Sequence, residues 1–125
     1  MMAALTITVW GHVPGKKNSY GYSSRTGRRF VDPVMKRQIN DIIIQIGSQA
    51  GNIAPFDNPA ISYKLVCRDA RGDRDNKITT LQDCLVKAGV LVNDNIAHLN
   101  GPEYRYPVKI SPTEHAIIRI AGEQQ

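Results

Sequence analysis

Apolar and polar residues alternate near the start of the chain, where Leu5, Ile7 and Val9 are interleaved with Thr6, Thr8 and Trp10. Successive residues of a strand point to opposite faces, so this period of two predicts a strand with one buried face. The spacing changes at Asp32-Pro33. Val34, Met35, Ile39, Ile42, Ile43 and Ile46 recur at helical intervals. Asp32 is a suitable capping acid, Pro33 fits the first helical position, and Gly47 and Gly51 are candidate stops. Alternation returns at Ile61, Tyr63, Leu65 and Cys67, which predicts a second strand. A second helix is predicted from about Asp75 to Ala88, with Ile78, Leu81, Leu85 and Ala88 on one face and Gly89 as its stop. A third strand is expected at Ile96 to Leu99, extending through Gly101 towards Val108. After the turn at Ser111-Pro112-Thr113, a last strand carries Ala116, Ile118 and Ile120. The order β-α-β-α-β-β predicts an α+β fold. Residues 1–125 form a single domain in this reading, a mixed sheet of about four strands with two helices packed on it.

The composition fits that picture: 125 residues, 42% hydrophobic and 22% charged, are typical of one globular domain. The longest apolar runs, Ile42 to Ile44 and Val90 to Val92, are far short of the roughly 20 residues of a membrane span, so no membrane partner is expected. Met1 to Leu5 runs straight into the first strand without the form of a signal peptide, and the expected location is cytoplasmic. Cys67 and Cys84 are not paired as C-x-x-C, and His12, His98 and His115 are scattered, which argues against a zinc site.

Charge adds a direction. The net charge is +5, which attracts a polyanion. The segment from Gly11 to Phe30 reads as a long loop carrying Lys16, Lys17, Arg25, Arg28 and Arg29, with Tyr20 and Tyr22 between them. Basic residues interleaved with aromatics grip phosphates and stack on exposed bases. Any one of them can equally be a solvated loop residue; as a group they favour DNA contact. Within this basic chain lies an acidic cluster. Asp73 and Asp75 stand two apart at a strand-to-helix junction, Asp94 follows the helix, and Arg71, Arg74 and Lys77 surround the pair. Carboxylates crowded within a positive field suit a divalent cation, and carboxylate oxygens suit magnesium, or manganese in its place. The simpler alternatives are a helix cap at Asp73 or Asp75 and an ordinary turn at Asp94-Asn95. Lys77 is either a solvated helix residue or a group reaching a phosphate from the first helical turn.

The run Asp73-x-Asp75-Asn76, then Leu81-x-Asp83-x-Leu85-x-Lys87-Ala88-Gly89, then Asp94 resembles the RusA-type Holliday junction resolvases (crossover junction endodeoxyribonucleases). Only the central third of the chain carries the specific motif. The resemblance implies a homodimeric, magnesium-dependent endonuclease of bacteria or their phages that cuts four-way DNA junctions symmetrically, in recombination and repair. It also implies that Asp73, Asp75 and Asp94 are the metal-binding aspartates. Two positions depart from the family pattern. A functional lysine found one turn after the second aspartate in some members is Thr79 here, leaving Lys77 as the nearest substitute. The acidic pair after the helix is Asn93-Asp94. Two rival functions remain: a metal-dependent hydrolase of small phosphate esters, and a module that binds branched DNA without cutting it. The apolar runs Ile42 to Ile46 and Val90 to Val92 serve either the core or a dimer contact.

Overall fold

The structure, a computed structural model, describes residues 2–15, 20–22 and 29–124, with backbone only for 20–22 and 29–31. Lys16, Lys17, Asn18, Arg25 and Arg28 therefore lie outside the described residues, as does the side chain of Arg29. The elements are β1 (Met2–Trp10), β2 (Tyr20–Tyr22), β3 (Arg29–Val31), α1 (Pro33–Ala50), β4 (Ala60–Cys67), α2 (Arg74–Lys87), β5 (Glu103–Arg105), β6 (Lys109–Ile110) and β7 (His115–Glu123). The main sheet runs in the order β1-β7-β4-β5, with β6 also paired to β4; β2 and β3 form a separate antiparallel hairpin. This is the expected α+β class.

β1 and β4 are both antiparallel to β7, so their C-terminal ends reach the same end of the sheet. That end is also where α2 begins, because it follows β4 after a short loop. The inward residues of the strands are Ile7 and Val9, Ile61, Tyr63 and Leu65, and Ala116, Ile118 and Ile120. They meet Met35, Ile39, Ile42 and Ile46 of α1 and Ile78, Leu81 and Leu85 of α2 in one core. Each such side chain contributes about 1.5–3 kcal/mol when fully buried. The three alternating segments and both helical stripes thus fall where the sequence pattern places them. Ile42, Ile46, Val90 and Leu91 are core residues, while Ile44 projects into solvent. Tyr63 buries its hydroxyl, and the resulting desolvation raises its pKa well above that of an ordinary phenol, although Gln82 partly opposes this.

Two expectations change. Residues 96–99 are not a strand: His98 and Leu99 donate backbone N–H groups to the Asn95 carbonyl, closing a turn that leaves Ile96 exposed. The Asn93 side chain accepts from the N–H groups of Asp94 and Asn95, and this local bonding competes with strand pairing. The strand at this edge is instead the pair of short parallel segments β5 and β6. The basic loop contains the hairpin β2–β3, in which Tyr20 faces Val31 and Tyr22 faces Arg29. Trp10, on the edge strand β1, is 57% exposed, its ring tilted over His115 with centroids 5.0 Å apart. Among the described residues no helix is long and apolar enough to cross a membrane.

β1 is an edge strand, and α1 covers its open side with two amides. Gln49 Oε1 accepts from Thr8 N at 2.8 Å while its Nε2 donates to Thr8 O at 2.6 Å. Gln45 repeats the pattern at Trp10, at 2.8 and 2.9 Å. Each side-chain amide stands in for the peptide of a missing neighbouring strand and masks an edge that would otherwise template association. Gln45→Ala and Gln49→Ala should each cost about 1 kcal/mol in urea unfolding. The double variant should also self-associate at concentrations where the parent is unchanged, as measured by light scattering.

Candidate active site

α2 begins with a side-chain cap. Asp73 has extended backbone angles, and its Oδ1 accepts from Asp75 N at 2.9 Å. This satisfies one of the N–H groups that no helical carbonyl can reach. Asp75 follows in the first turn, where the helix dipole favours its charge. Both residues belong to the same helix end, and both are exposed. Asp75 also accepts from Arg105 Nη1, and Arg105 Nε donates to Glu103. Arg105 lies opposite Tyr63 in the β4–β5 register, on the sheet face that bears the helices, which is why it reaches α2. The hydrogen bond to Glu103 raises the Arg105 pKa above its ordinary value, burial opposes this, and the charges of Glu103 and Asp75 add to the rise. The sequence alone reads Tyr104, Arg105 and Tyr106 as ordinary strand residues. Instead Arg105 is a site residue, and the two tyrosines are exposed with rings edge-to-face at 4.6 Å.

Lys77 is neither solvated nor on the Asp75 face. It is 6% exposed, and its Nζ donates to the Val13 carbonyl at 2.7 Å across the end of the sheet. Its apolar stem fills the space beneath the first turn and its ammonium reaches a cavity wall. This cavity, of about 330 Å³, opens at the C-terminal ends of β1 and β4. Asp73, Asn76 and Lys77 line it from α2, and Cys67, Arg68, Asp69 and Arg71 from the end of β4 and the loop beyond. His12, Gly15 and Glu114 close the remaining side. Gly15 is in close approach to Asn76, since a Cβ there would sit 2.7 Å from Asn76 Nδ2. Burial raises the Cys67 thiol pKa, against the opposing charge of Lys77.

Asp94 is at the other end of α2. Phe56 N donates to Val90 O at 2.8 Å and Val92 N to Phe56 O at 3.1 Å, which pins the segment just before Asp94 beside the start of β4. A helix of 14 residues separates the two ends by about 21 Å. The structure therefore places Asp73 and Asp75 at one end of α2 and Asp94 at the other. Among the described residues no three His, Cys, Asp or Glu side chains form a metal-holding group. The donor chemistry of the Asp73–Asp75 pair still suits magnesium, which takes one or two carboxylates and completes its shell with water and substrate phosphate. Arg71 and Arg74 are exposed, and both line a neighbouring groove walled by Val108 and Ile110. Asp83 pairs with Lys87 at 3.1 Å one turn along the helix surface.

Two cavity residues, His12 and Glu114, escape the sequence reading because they are 102 positions apart and carry no motif. Comparison with protein-family models finds no match, and comparison with curated proteins finds none.

The cap and the charge of Asp73 can be separated. Asp73→Ala should lower stability by about 1 kcal/mol in thermal or urea unfolding, whereas Asp73→Asn, which caps equally well, should stay within a few tenths of the parent.

Proposed function

We propose that the chain is a RusA-like, magnesium-dependent endonuclease that cuts four-way DNA junctions and acts as a homodimer. The observation that carries this reading is the placement of Asp73 and Asp75 at the start of α2, where Asp73 lines a cavity that Arg68 and Arg71 also line. The two carboxylates would hold the cation. When bound, that cation supplies charge neutralisation at the scissile phosphate and a lowered pKa for the attacking water. Arg68, Arg71 and Arg74 offer guanidinium groups to phosphate oxygens around the acidic pair. Arg105 holds Asp75 until a cation or a phosphate competes for one of the two partners. A four-way junction presents two equivalent strands, and a two-fold dimer supplies two sites in matching geometry.

The position of Asp94 favours one rival, a module that recognises branched DNA without cleaving it, since Asp94 lies at the opposite end of α2 from Asp73 and Asp75. Cleavage assays on labelled four-way junction, linear duplex and single strands, with and without magnesium, separate the readings. The proposal expects metal-dependent cutting of the junction in preference to the other DNAs. Asp75→Asn should keep junction binding and slow cutting by at least about 100-fold, roughly 2.7 kcal/mol of transition-state stabilisation. Undiminished cutting by that variant would remove Asp75 from the site. Arg71→Glu combined with Arg74→Glu should weaken binding and lower the slope of log K against log salt by about one unit for each phosphate no longer neutralised. An unchanged slope would take both arginines out of the interface.

A further inference from the structure

His12 and Glu114 form a pair on the cavity wall that the aspartate motif does not include. His12 Nδ1–H donates to Glu114 Oε2 at 2.9 Å, and the Glu114 side chain is only 14% exposed. Arg68 Nε lies 3.7 Å from the other oxygen of the same carboxylate. Local backbone geometry produces this contact. Gly11 N donates to Glu114 O at 3.0 Å, which extends the β1–β7 ladder by one step. Gly11 has φ +103°, a value that side-chain-bearing residues rarely adopt. A regular strand would turn His12 to the outer face beside Trp10. The turn at Gly11 brings it to Glu114 and to the cavity shared with Asp73 and Lys77. A carboxylate on Nδ1–H fixes the ring and its tautomer, and leaves the Nε2 lone pair as the basic site. Both partners sit at the ends of adjacent paired strands, so the scaffold holds them.

We propose that His12 is the proton acceptor for phosphodiester hydrolysis in this cavity and that Glu114 is its positioning residue, an inference that rests on the nuclease reading. As the water oxygen bonds to phosphorus, the P–O3′ bond breaks and its electron pair leaves on O3′. One water proton passes to His12 Nε2 and is then released to solvent, and O3′ takes a proton from solvent. The products are a 5′-phosphate and a 3′-hydroxyl.

The test is single-turnover cleavage of labelled four-way junction with magnesium by the full chain, by His12→Ala and by Glu114→Gln, each with and without added imidazole. Junction affinity is measured without metal, and folding is checked by thermal unfolding. His12→Ala should cleave about 100-fold more slowly with unchanged junction affinity, and imidazole should restore part of the rate. Glu114→Gln should slow the single-turnover rate by about tenfold and leave junction affinity unchanged. A His12→Ala protein that cleaves at the parental rate overturns the inference and leaves the nuclease reading standing. A slow His12→Ala protein that imidazole does not restore also overturns it. A parent chain that cuts no junction overturns the nuclease reading, and this inference with it.

Discussion

The buried ammonium of Lys77 fixes the end of the molecule that carries the cavity. A charged amine taken out of water is costly unless hydrogen bonds and nearby opposite charge replace its hydration. Here the Val13 carbonyl supplies a hydrogen bond at 2.7 Å, and the cavity wall that Lys77 shares carries Asp69, Asp73 and Glu114. One side chain thereby ties the first turn of α2 to the segment leaving β1, two pieces of chain 64 positions apart. The same tie sets the distance between His12, which follows β1, and Asp73, which caps α2. Neither could hold its place if α2 slid along the sheet. The core beneath resists such sliding, because Ile78, Leu81 and Leu85 are each 1% exposed or less.

Periodicity exposed most of this framework and little of the site's wiring. The alternation in β1, β4 and β7 and the stripes of α1 and α2 are driven by burial, a local pattern that a sequence displays directly. Asp32-Pro33 and Asp73 marked both helix starts, since capping is also local. Residues 96–99 misled, because the apolar side chains of Ile96 and Leu99 carry no information about the Asn93 and Asn95 bonds that close a turn there, whereas β5 lies within the expected extension towards Val108. Lys77 was legible as a candidate, but its burial was not: an amine looks solvated until the neighbouring strand end is known. His12 with Glu114 and Asp75 with Arg105 depend on register between distant strands, which one sequence does not reveal. The approach of Asp94 to the other aspartates was a matter of where the link after α2 folds. Phe56 decided that by pairing with residues 90–92 at the far end.

Electrostatics gives the acidic end its character. In a chain of net charge +5, Asp73 and Asp75 are neighbours that repel each other. Three physical effects offset that repulsion without a cation: the backbone N–H bonded to Asp73, the dipole of α2, and the guanidinium of Arg105. The two aspartates are therefore tolerated at one helix end without a bound cation. Arg105 keeps Glu103 as a second partner, so its release from Asp75 does not leave it unpaired.

Capping and metal binding are often read as rival roles for a carboxylate at a helix start, yet at Asp73 they are compatible. The cap uses Oδ1 alone, as acceptor of one N–H at 2.9 Å. An ionised carboxylate has two oxygens and about four lone-pair directions, so a cation can be bound through the remaining ones. The cap even assists, because it freezes the side-chain torsions of Asp73 before any ligand arrives and so reduces the entropy lost on binding. A carboxylate held this way points its remaining oxygen along a direction set by the backbone of α2, and the Lys77 tether anchors that backbone to the end of the sheet.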